Sequence, residues 1–271
     1  WYCGALGLLQ PGGVATFTVP IRTVEQQGDV LRCGIGSAIT LDSEPAAEVA
    51  EWRAKTRFLL RAQAPIAALE TLRLQDGQFL RLPGHLARLQ RTAQHFGLKL
   101  HLAPVREALA LLADEQPQGD WRVRLTVGSA GEVELQCQVL PETPLRVRLA
   151  LAAGAIDTDG PAAEFVQHKT SRREIYQPFI DAKPPAAFDS LLWNRQGELT
   201  ECCIGNIALK LDGRWLTPRR EAGLLPGVYR EELLQQGRLR EARLLVEDLA
   251  RAEGLAFLNS LRGWVDAELL A

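Results

Sequence analysis

The chain has 271 residues, 46% of them hydrophobic, with 31 Lys and Arg against 33 Asp and Glu. That length supports one large or two modest globular domains with a substantial core, and a formal charge of -2 gives no basic face for nucleic acid. No apolar run is long enough to span a bilayer, and the N-terminus lacks the charged-then-apolar pattern of a secretory signal.

The five cysteines, Cys3, Cys33, Cys137, Cys202 and Cys203, are odd in number and form no C-x-x-C or zinc-like Cys/His cluster. A reduced, cytoplasmic setting suits them. The chain contains no methionine and opens on Trp1, which reads as a piece of a longer polypeptide.

From Trp1 to Gln63, short apolar runs alternate with glycine turns, as in P-G-G-V-A-T-F-T-V and V-L-R-C-G-I-G-S-A-I, which predicts hairpins. A helix follows over 46–63, begun at Ser43 or Glu44 with Pro45 in its first turn and with Val49, Trp52, Phe58 and Leu59 as apolar positions. Hairpins with one helix leave apolar sheet surface exposed, so this segment wants a partner.

Ala64 to Ile66 form a short linker punctuated by Pro65. A strand pair, 67–74 and 78–82, joined by the Asp76-Gly77 turn, opens the second segment. Helices over 84–96 and 104–114 come next, then strands over 121–127, 132–140 and 145–152. After a loop through Asp157 to Gly160, a helix starts just past Lys169 and runs to about Ala182. A hairpin at 189–200, strands at 206–211 and 214–216, a helix over 228–236, an acidic helix near 246–252 and a strand at 256–261 complete the chain. Strands, then helices, then strands argue α+β. There is no internal repeat and no low-complexity segment.

Three features of the second segment bear on chemistry. Lys169, in H-K-T-S-R-R, reads either as part of a solvated basic cluster or as a Schiff-base amine whose pKa is lowered by a pocket and by Arg172 or Arg173. Glu201, after L-T, is either a surface carboxylate or one set in a cleft to hold a pyridinium nitrogen protonated. The turn G-L-L-P-G-V-Y-R, Gly223 to Arg230, opens a helix whose free first-turn amides at Val228 and Tyr229 suit a phosphate. Many helices begin this way without binding anything. In H-L-A-R-L, Arg88 shares a helical face with His85 and can fork onto a phosphate, whereas His85 reads as a packing or capping residue. Ser260, in L-N-S-L-R-G, offers a hydroxyl to the same group.

Together, L-E-T-L-R, H-L-A-R-L, H-K-T, E-C-C-I-G-N, W-L-T-P and G-V-Y-R resemble the fold-type IV pyridoxal phosphate family over roughly Leu69 to Trp264. That family includes branched-chain and D-amino-acid aminotransferases and aminodeoxychorismate lyases. The resemblance implies two α+β subdomains, with Lys169 carrying the cofactor, Glu201 at its pyridine nitrogen, and Arg88, the Val228 and Tyr229 amides and Ser260 on its phosphate. Thr71 would position the substrate. The N-G and D-R-G type lead-in usual before the E-T segment is absent here.

Residues 1 to 63 are similar to the last portion of chorismate-utilising enzymes through Y-C-G-A-L-G, I-R-T, G-I-G-S-A-I and D-S-E-P-A-A-E-V-A-E-W-R-A-K. The truncated β-hairpin/helix fragment would carry a vestigial chorismate site at Tyr2, Arg22, Gly34 and Gly36. Glu48 and Glu51, three apart on one helical face, would ligate Mg only if that domain were complete; no synthase activity is expected from the fragment. The pairing implies a lyase acting on 4-amino-4-deoxychorismate in folate synthesis; the alternatives are an aminotransferase of the same fold and a non-catalytic binding module. A homodimer and a glutamine amidotransferase subunit are the implied partners, and nucleic acid and membrane are not.

Overall fold

The computed structural model describes residues 2–270, so Trp1 and Ala271 lie outside it. The chain divides after Gln63 into two compact units.

In the first unit, β1 (Leu6–Leu9) and β2 (Ala15–Thr18) form one antiparallel hairpin, and β3 (Val24–Gln27) and β4 (Val30–Cys33) form another. Helix α1 (Pro45–Gln63) begins on the proline, whose fixed φ suits a first turn. Leu6, Leu8, Phe17 and Leu31 are each more than half exposed. The hairpin faces are thus uncovered within this unit, as the alternating pattern predicts.

The second unit starts with a four-stranded antiparallel sheet, ordered β6-β5-β7-β8: β5 (Ala68–Gln75), β6 (Gln78–Phe79), β7 (Asp120–Val127) and β8 (Val133–Val139). Asp76 and Gly77 both have positive φ, as the tight two-residue hairpin requires. Helices α2 (Leu82–Phe96) and α3 (Leu102–Glu115) cover one face, burying Leu72, Leu86, Leu89, Val105, Leu109, Val123 and Leu125. Helix α2 starts two residues before the predicted Gly84, because Pro83 fits its first turn. By the period-two rule, the opposite face of the sheet carries Leu69, Thr71 and Arg73 of β5 beside Thr126, Arg124 and Arg122 of β7.

The larger sheet has eight strands in the order β11-β10-β9-β16-β15-β12-β13-β14. They are β9 (Arg146–Leu151), β10 (Asp189–Trp193), β11 (Leu199–Cys202), β12 (Asn206–Leu211), β13 (Arg214–Pro218), β14 (Arg240–Ala242), β15 (Gly254–Asn259) and β16 (Gly263–Leu269). Strand β9 lies parallel to β10 and β16 in this sheet. Strands β14 and β16 were not predicted. Short helices α4 (Glu164–Gln167) and α5 (Gln177–Asp181) occupy the connection between β9 and β10, and α6 (Val228–Gln235) packs Tyr229 and Leu233 onto Ala208, Ala256 and Leu258.

Two predicted helices take other forms. Rather than leading into a helix, Lys169 to Ser171 run extended beside β5: Leu69 N donates to the Lys169 carbonyl at 3.0 Å, and Ser171 N donates to the Ala67 carbonyl at 2.9 Å. A 3-10 turn (Glu174–Tyr176) and α5 follow; Pro178 lacks an amide and confines the α-helix to a start of its own. The acidic segment folds as a 3-10 helix (Val246–Arg251), with Asp248 accepting from Leu245 N at 2.7 Å. Among the described residues no helix is long and apolar enough to cross a membrane.

Candidate active site

A cavity of about 300 Å³ in the second unit lies among the open face of the small sheet, the edge of β11, the start of α6 and the β15–β16 loop. Its lining includes Thr71, Arg88, Lys169, Glu201, Val228, Tyr229 and Ser260. Every residue that the sequence proposes for the cofactor and substrate of this segment is brought to one space.

Lys169 reaches it from the extended run that pairs with β5. Burial, followed by the charges of Arg88 and Arg173, pushes its amine down to about 7, so a large fraction is neutral and nucleophilic near neutral pH. Arg173, which also donates to the Cys203 carbonyl, is the neighbour that contributes; Arg172 pairs with Glu174 at 2.9 Å instead.

Glu201 opens the E-C-C-I-G-N segment near the end of β11 and is buried. It accepts from Tyr176 Oη at 2.7 Å and from Leu225 N at 3.1 Å, with Asn206 Nδ2 at 3.5 Å. Burial raises its carboxyl to about 7 against those bonds. A cation set beside it, such as a protonated ring nitrogen, favours the carboxylate. Tyr176 and Asn206 were not picked out from sequence, because a lone Tyr and an Asn at a strand start carry no local signal of a buried carboxylate.

Helix α2 brings His85 and Arg88 onto Glu70 of the L-E-T segment. Arg88 Nε and Nη2 donate to the two Glu70 oxygens at 2.8 and 2.6 Å, and His85 Nδ1 lies 2.7 Å from Oε2. Burial would raise the Glu70 carboxyl, but the Arg88 charge and these bonds outweigh it and hold it at about 2. An ionised Glu70 can only accept, so His85 Nδ1 is the donor. Burial lowers the His85 pKa, which leaves a neutral ring whose Nε2 is buried without a hydrogen-bond partner. The edge of Arg88 expected to fork onto a phosphate is therefore engaged by Glu70, because a buried carboxylate demands a charged partner. Nη1 remains, 3.4 Å from the Pro226 carbonyl.

Helix α6 begins at this same end of the cavity. Arg81 stacks over the Tyr229 ring at 4.2 Å and its Nη1 reaches the Ser260 carbonyl at 3.5 Å, so α2, α6 and the β15–β16 loop meet here. Gly84 is what lets α2 approach: a Cβ there would stand 2.7 Å from Val228 Cγ1. The Val228 and Tyr229 amides have no acceptor within the helix and carry its positive end.

The site suits a phosphorylated pyridine aldehyde on its own terms. An orphaned imidazole nitrogen, the remaining Arg88 nitrogen and free helix amides gather at one end, and a buried amine and a buried carboxyl line the rest. The cavity also exposes Arg122, Arg124 and Arg262, which sequence reasoning passed over. Their only sequence signal is the alternation R-V-R along β7.

In the first unit, Tyr2, Arg22, Gly34 and Gly36 line a small hollow of about 80 Å³ with Lys55, the Tyr2 ring lying against the Gly34 and Gly36 backbone. The helical glutamates have other partners there. Glu48 accepts from Ser37 and, at 2.7 Å, from Ser43, while Glu51 pairs with Lys55 at 2.6 Å. Among the described residues no group of three or more His, Cys, Asp or Glu is placed to hold a metal.

Comparison with known proteins places this geometry. Residues 67–269 match the amino-transferase class IV family, and residues 1–61 match the chorismate binding enzyme family. A Schizosaccharomyces pombe protein named "Putative aminodeoxychorismate lyase" is 30% identical over 203 residues, 70% of this chain and 84% of that one. A Mesorhizobium loti structure, named "Putative amino-acid aminotransferase", has 35% identity, a TM-score of 0.70, and coverage of 76% of this chain and 100% of its own. The 4-amino-4-deoxychorismate lyase of Pseudomonas aeruginosa, with 21% identity, a TM-score of 0.63 and coverage of 75% and 83%, shares the fold. With its match running from Ala67 to Leu269, this chain belongs to the amino-transferase class IV family, of fold-type IV, and carries a chorismate-binding segment at its N-terminus.

Proposed function

We propose that the second unit is a pyridoxal 5'-phosphate-dependent lyase that converts 4-amino-4-deoxychorismate into 4-aminobenzoate and pyruvate, within a fused synthase-lyase protein of folate biosynthesis. The observation that carries this reading is the chorismate-binding segment on the same chain as a class IV domain. A lyase for an aminated chorismate consumes what such a segment, when complete, helps to make. The similarity to the S. pombe protein supports it.

Lys169 is the residue that would hold the cofactor's aldehyde carbon, its amine pushed down to about 7 by burial. Arg88 Nη1, His85 Nε2, the Val228 and Tyr229 amides and Ser260 would hold its phosphate, and Glu201 would hold its ring nitrogen protonated. When bound, the cofactor supplies an electron sink for the carbon that bears the amine. Lys169, its amine at about 7, is the base that takes the proton from substrate C4. The C3–O bond to the enolpyruvyl group then breaks, the ring becomes aromatic, and the departing enolpyruvate takes up a proton at its methylene carbon to become pyruvate. Thr71, on the face of β5 that lines the cavity, orients the ring.

Mg at Glu48 and Glu51 belongs to this reading only for a complete chorismate domain. The protein is expected to be a cytoplasmic homodimer, served in its full length by a glutamine amidotransferase subunit. A second reading, amino-group transfer, is favoured by the similarity to the Mesorhizobium protein. The test is to supply 4-amino-4-deoxychorismate to the purified protein and follow 4-aminobenzoate and pyruvate. Their stoichiometric release, with loss of both products and of the borohydride-sensitive cofactor absorbance in Lys169→Ala, is expected. Transfer of amino groups to 2-oxoglutarate without 4-aminobenzoate would replace the lyase with the transaminase.

A further inference from the structure

The extended run that delivers Lys169 is held by β5 on one side and by a stack of rings on the other. At and beyond the lysine, its carbonyl accepts from Leu69 N and Ser171 N donates to the Ala67 carbonyl. Before it, His168 ends α4 with extended backbone, φ -121° and ψ 133°, and its amide donates to the Glu164 carbonyl at 3.0 Å. Successive side chains of an extended backbone point to opposite sides. Lys169 lines the cavity, so His168 projects away from it; among the described residues lining the cavity, neither His168 nor His95 is found.

The His168 ring lies on that of His95, in the last turn of α2, with centroids 4.0 Å apart and planes 16° off parallel. Phe96 meets both rings edge-on, at 4.7 Å from His95 and 5.6 Å from His168, and itself stacks on Phe165 of α4 at 5.6 Å. His95 Nε2 lies 3.0 Å from Oε2 of Glu164, whose side chain is 4% exposed, so the last turn of α2 is tied to the first of α4. Burial, followed by the His95 charge, pushes His168 down to about 4, with Arg220 and Arg91 acting in the same sense and Glu164 against them. His168 is therefore neutral at working pH and stacks without repelling a charged His95 or Lys169.

Helix α2 connects this stack to the other end of the cavity. Arg88 lies seven residues before His95, two turns away on the same face, which is about 10 Å of rigid helix. The hydrogen bonds to β5 lie at and beyond Lys169 and leave the φ and ψ of His168 soft; the stack on α2 constrains the residue before the lysine. A misplacement of about 1 Å at a reacting group can cost about a hundred-fold in rate.

We propose that His168, clamped on His95, is the positioning residue of Lys169, setting its amine at a fixed distance from the phosphate end that the same helix carries. That Lys169 is the cofactor's amine rests on the function proposed above. The clamp on Lys169 does not.

The test reads Lys169 in the whole chain in two ways. One is the pH midpoint of its labelling by trinitrobenzenesulfonate, located by peptide mass spectrometry; the other is affinity for pyridoxal 5'-phosphate by absorbance titration. In His168→Ala and in His95→Ala the midpoint should move from about 7 towards the ordinary 10.5 as the amine leaves its pocket, and affinity should fall about ten-fold or more. The double variant should be no weaker than the weaker single one, since the two rings act as a unit. His168→Phe, which keeps a flat neutral ring on His95, should bind within about three-fold of the unaltered chain. An unmoved midpoint in both alanine variants overturns the clamp even if the melting temperature falls, because packing alone would do that. Additive losses in the double variant, or equal losses in His168→Phe and His168→Ala, also overturn it. If His168→Ala fails to fold, His95→Ala, on a side chain 35% exposed, decides by the same criteria. Moved midpoints in a chain that binds no cofactor would refute the cofactor reading alone, and cofactor-dependent release of 4-aminobenzoate with unmoved midpoints would refute the clamp alone.

Discussion

The hydroxyl of Tyr176 donates to Glu201 Oε1 at 2.7 Å, and both side chains are buried. Burial, followed by the Glu201 charge, raises the phenol pKa well above its ordinary value, so Tyr176 stays a donor throughout the working pH range. Tyr176→Phe removes one of the bonds that keep the carboxylate acceptable in the interior. We expect a loss of about 1–3 kcal/mol in urea denaturation and a Glu201 titration displaced above about 7. Cofactor absorbance followed against pH reads that displacement; an unmoved profile would remove Tyr176 from this role.

The cofactor-free site is strained electrostatically near neutral pH, and the sign can be worked out group by group. Lys169 falls from 10.5 to about 7 on folding, so its contribution is fully favourable above 10.5 and is lost as pH falls through about 7. Glu201 rises from 4.5 to about 7, so its contribution is fully present below 4.5 and is lost as pH rises through about 7. Both losses overlap around pH 7. Cofactor-free Lys169→Met should therefore be more stable than the unaltered chain at pH 7, by roughly 2 kcal/mol or more. Thermal melts across pH 7 to about 10 should show this advantage shrinking with rising pH.

Glu70 has the opposite dependence. Its carboxyl lies at about 2 in the fold against an ordinary 4.5, so its stabilisation is present above 4.5 and disappears as pH falls towards 2. Glu70→Gln leaves Arg88 buried beside a neutral amide, which costs about 3–5 kcal/mol at pH 7. The variant's stability should be flatter than the parent's between pH 4.5 and 2. Parallel acid-unfolding curves for the two proteins would contradict the buried ion pair.

Gly84 couples the fold to the cofactor end of the site. In Gly84→Ala the new methyl meets Val228 Cγ1 at 2.7 Å, and a β-branched side chain in a helix has little rotamer freedom with which to yield. A loss of about 1–3 kcal/mol is expected, with weaker cofactor binding because the Val228 amide shifts. Thermal melts and a fluorescence titration with pyridoxal 5'-phosphate check both; tight cofactor binding despite a destabilised fold would separate the seam from the phosphate end.

Much of the architecture was legible because it depends on short-range physics. The Asp76-Gly77 turn requires positive φ, the apolar spacing over α2 and α3 has one buried face, and the Pro-Gly entry to α6 stops one element and starts another. Residue chemistry likewise singled out Lys169 and Glu201, since few side chains offer an amine or a carboxylate in such surroundings.

Tertiary structure decided what those groups do. The run through Lys169 is extended because it pairs with β5 about a hundred residues earlier in the chain, a partner that no local window contains. Strand β16 and the place of β9 in the large sheet are one event, since each pairs with the other. Glu70 took the fork of Arg88 because burial leaves a carboxylate no water to turn to, and Arg122, Arg124 and Arg262 became a cluster only when the β15–β16 loop was pinned over the small sheet. Local sequence determines turns, helix starts and the identity of reactive groups, whereas pKa values, orphaned donors and convergent charges depend on which distant residues exclude water from them.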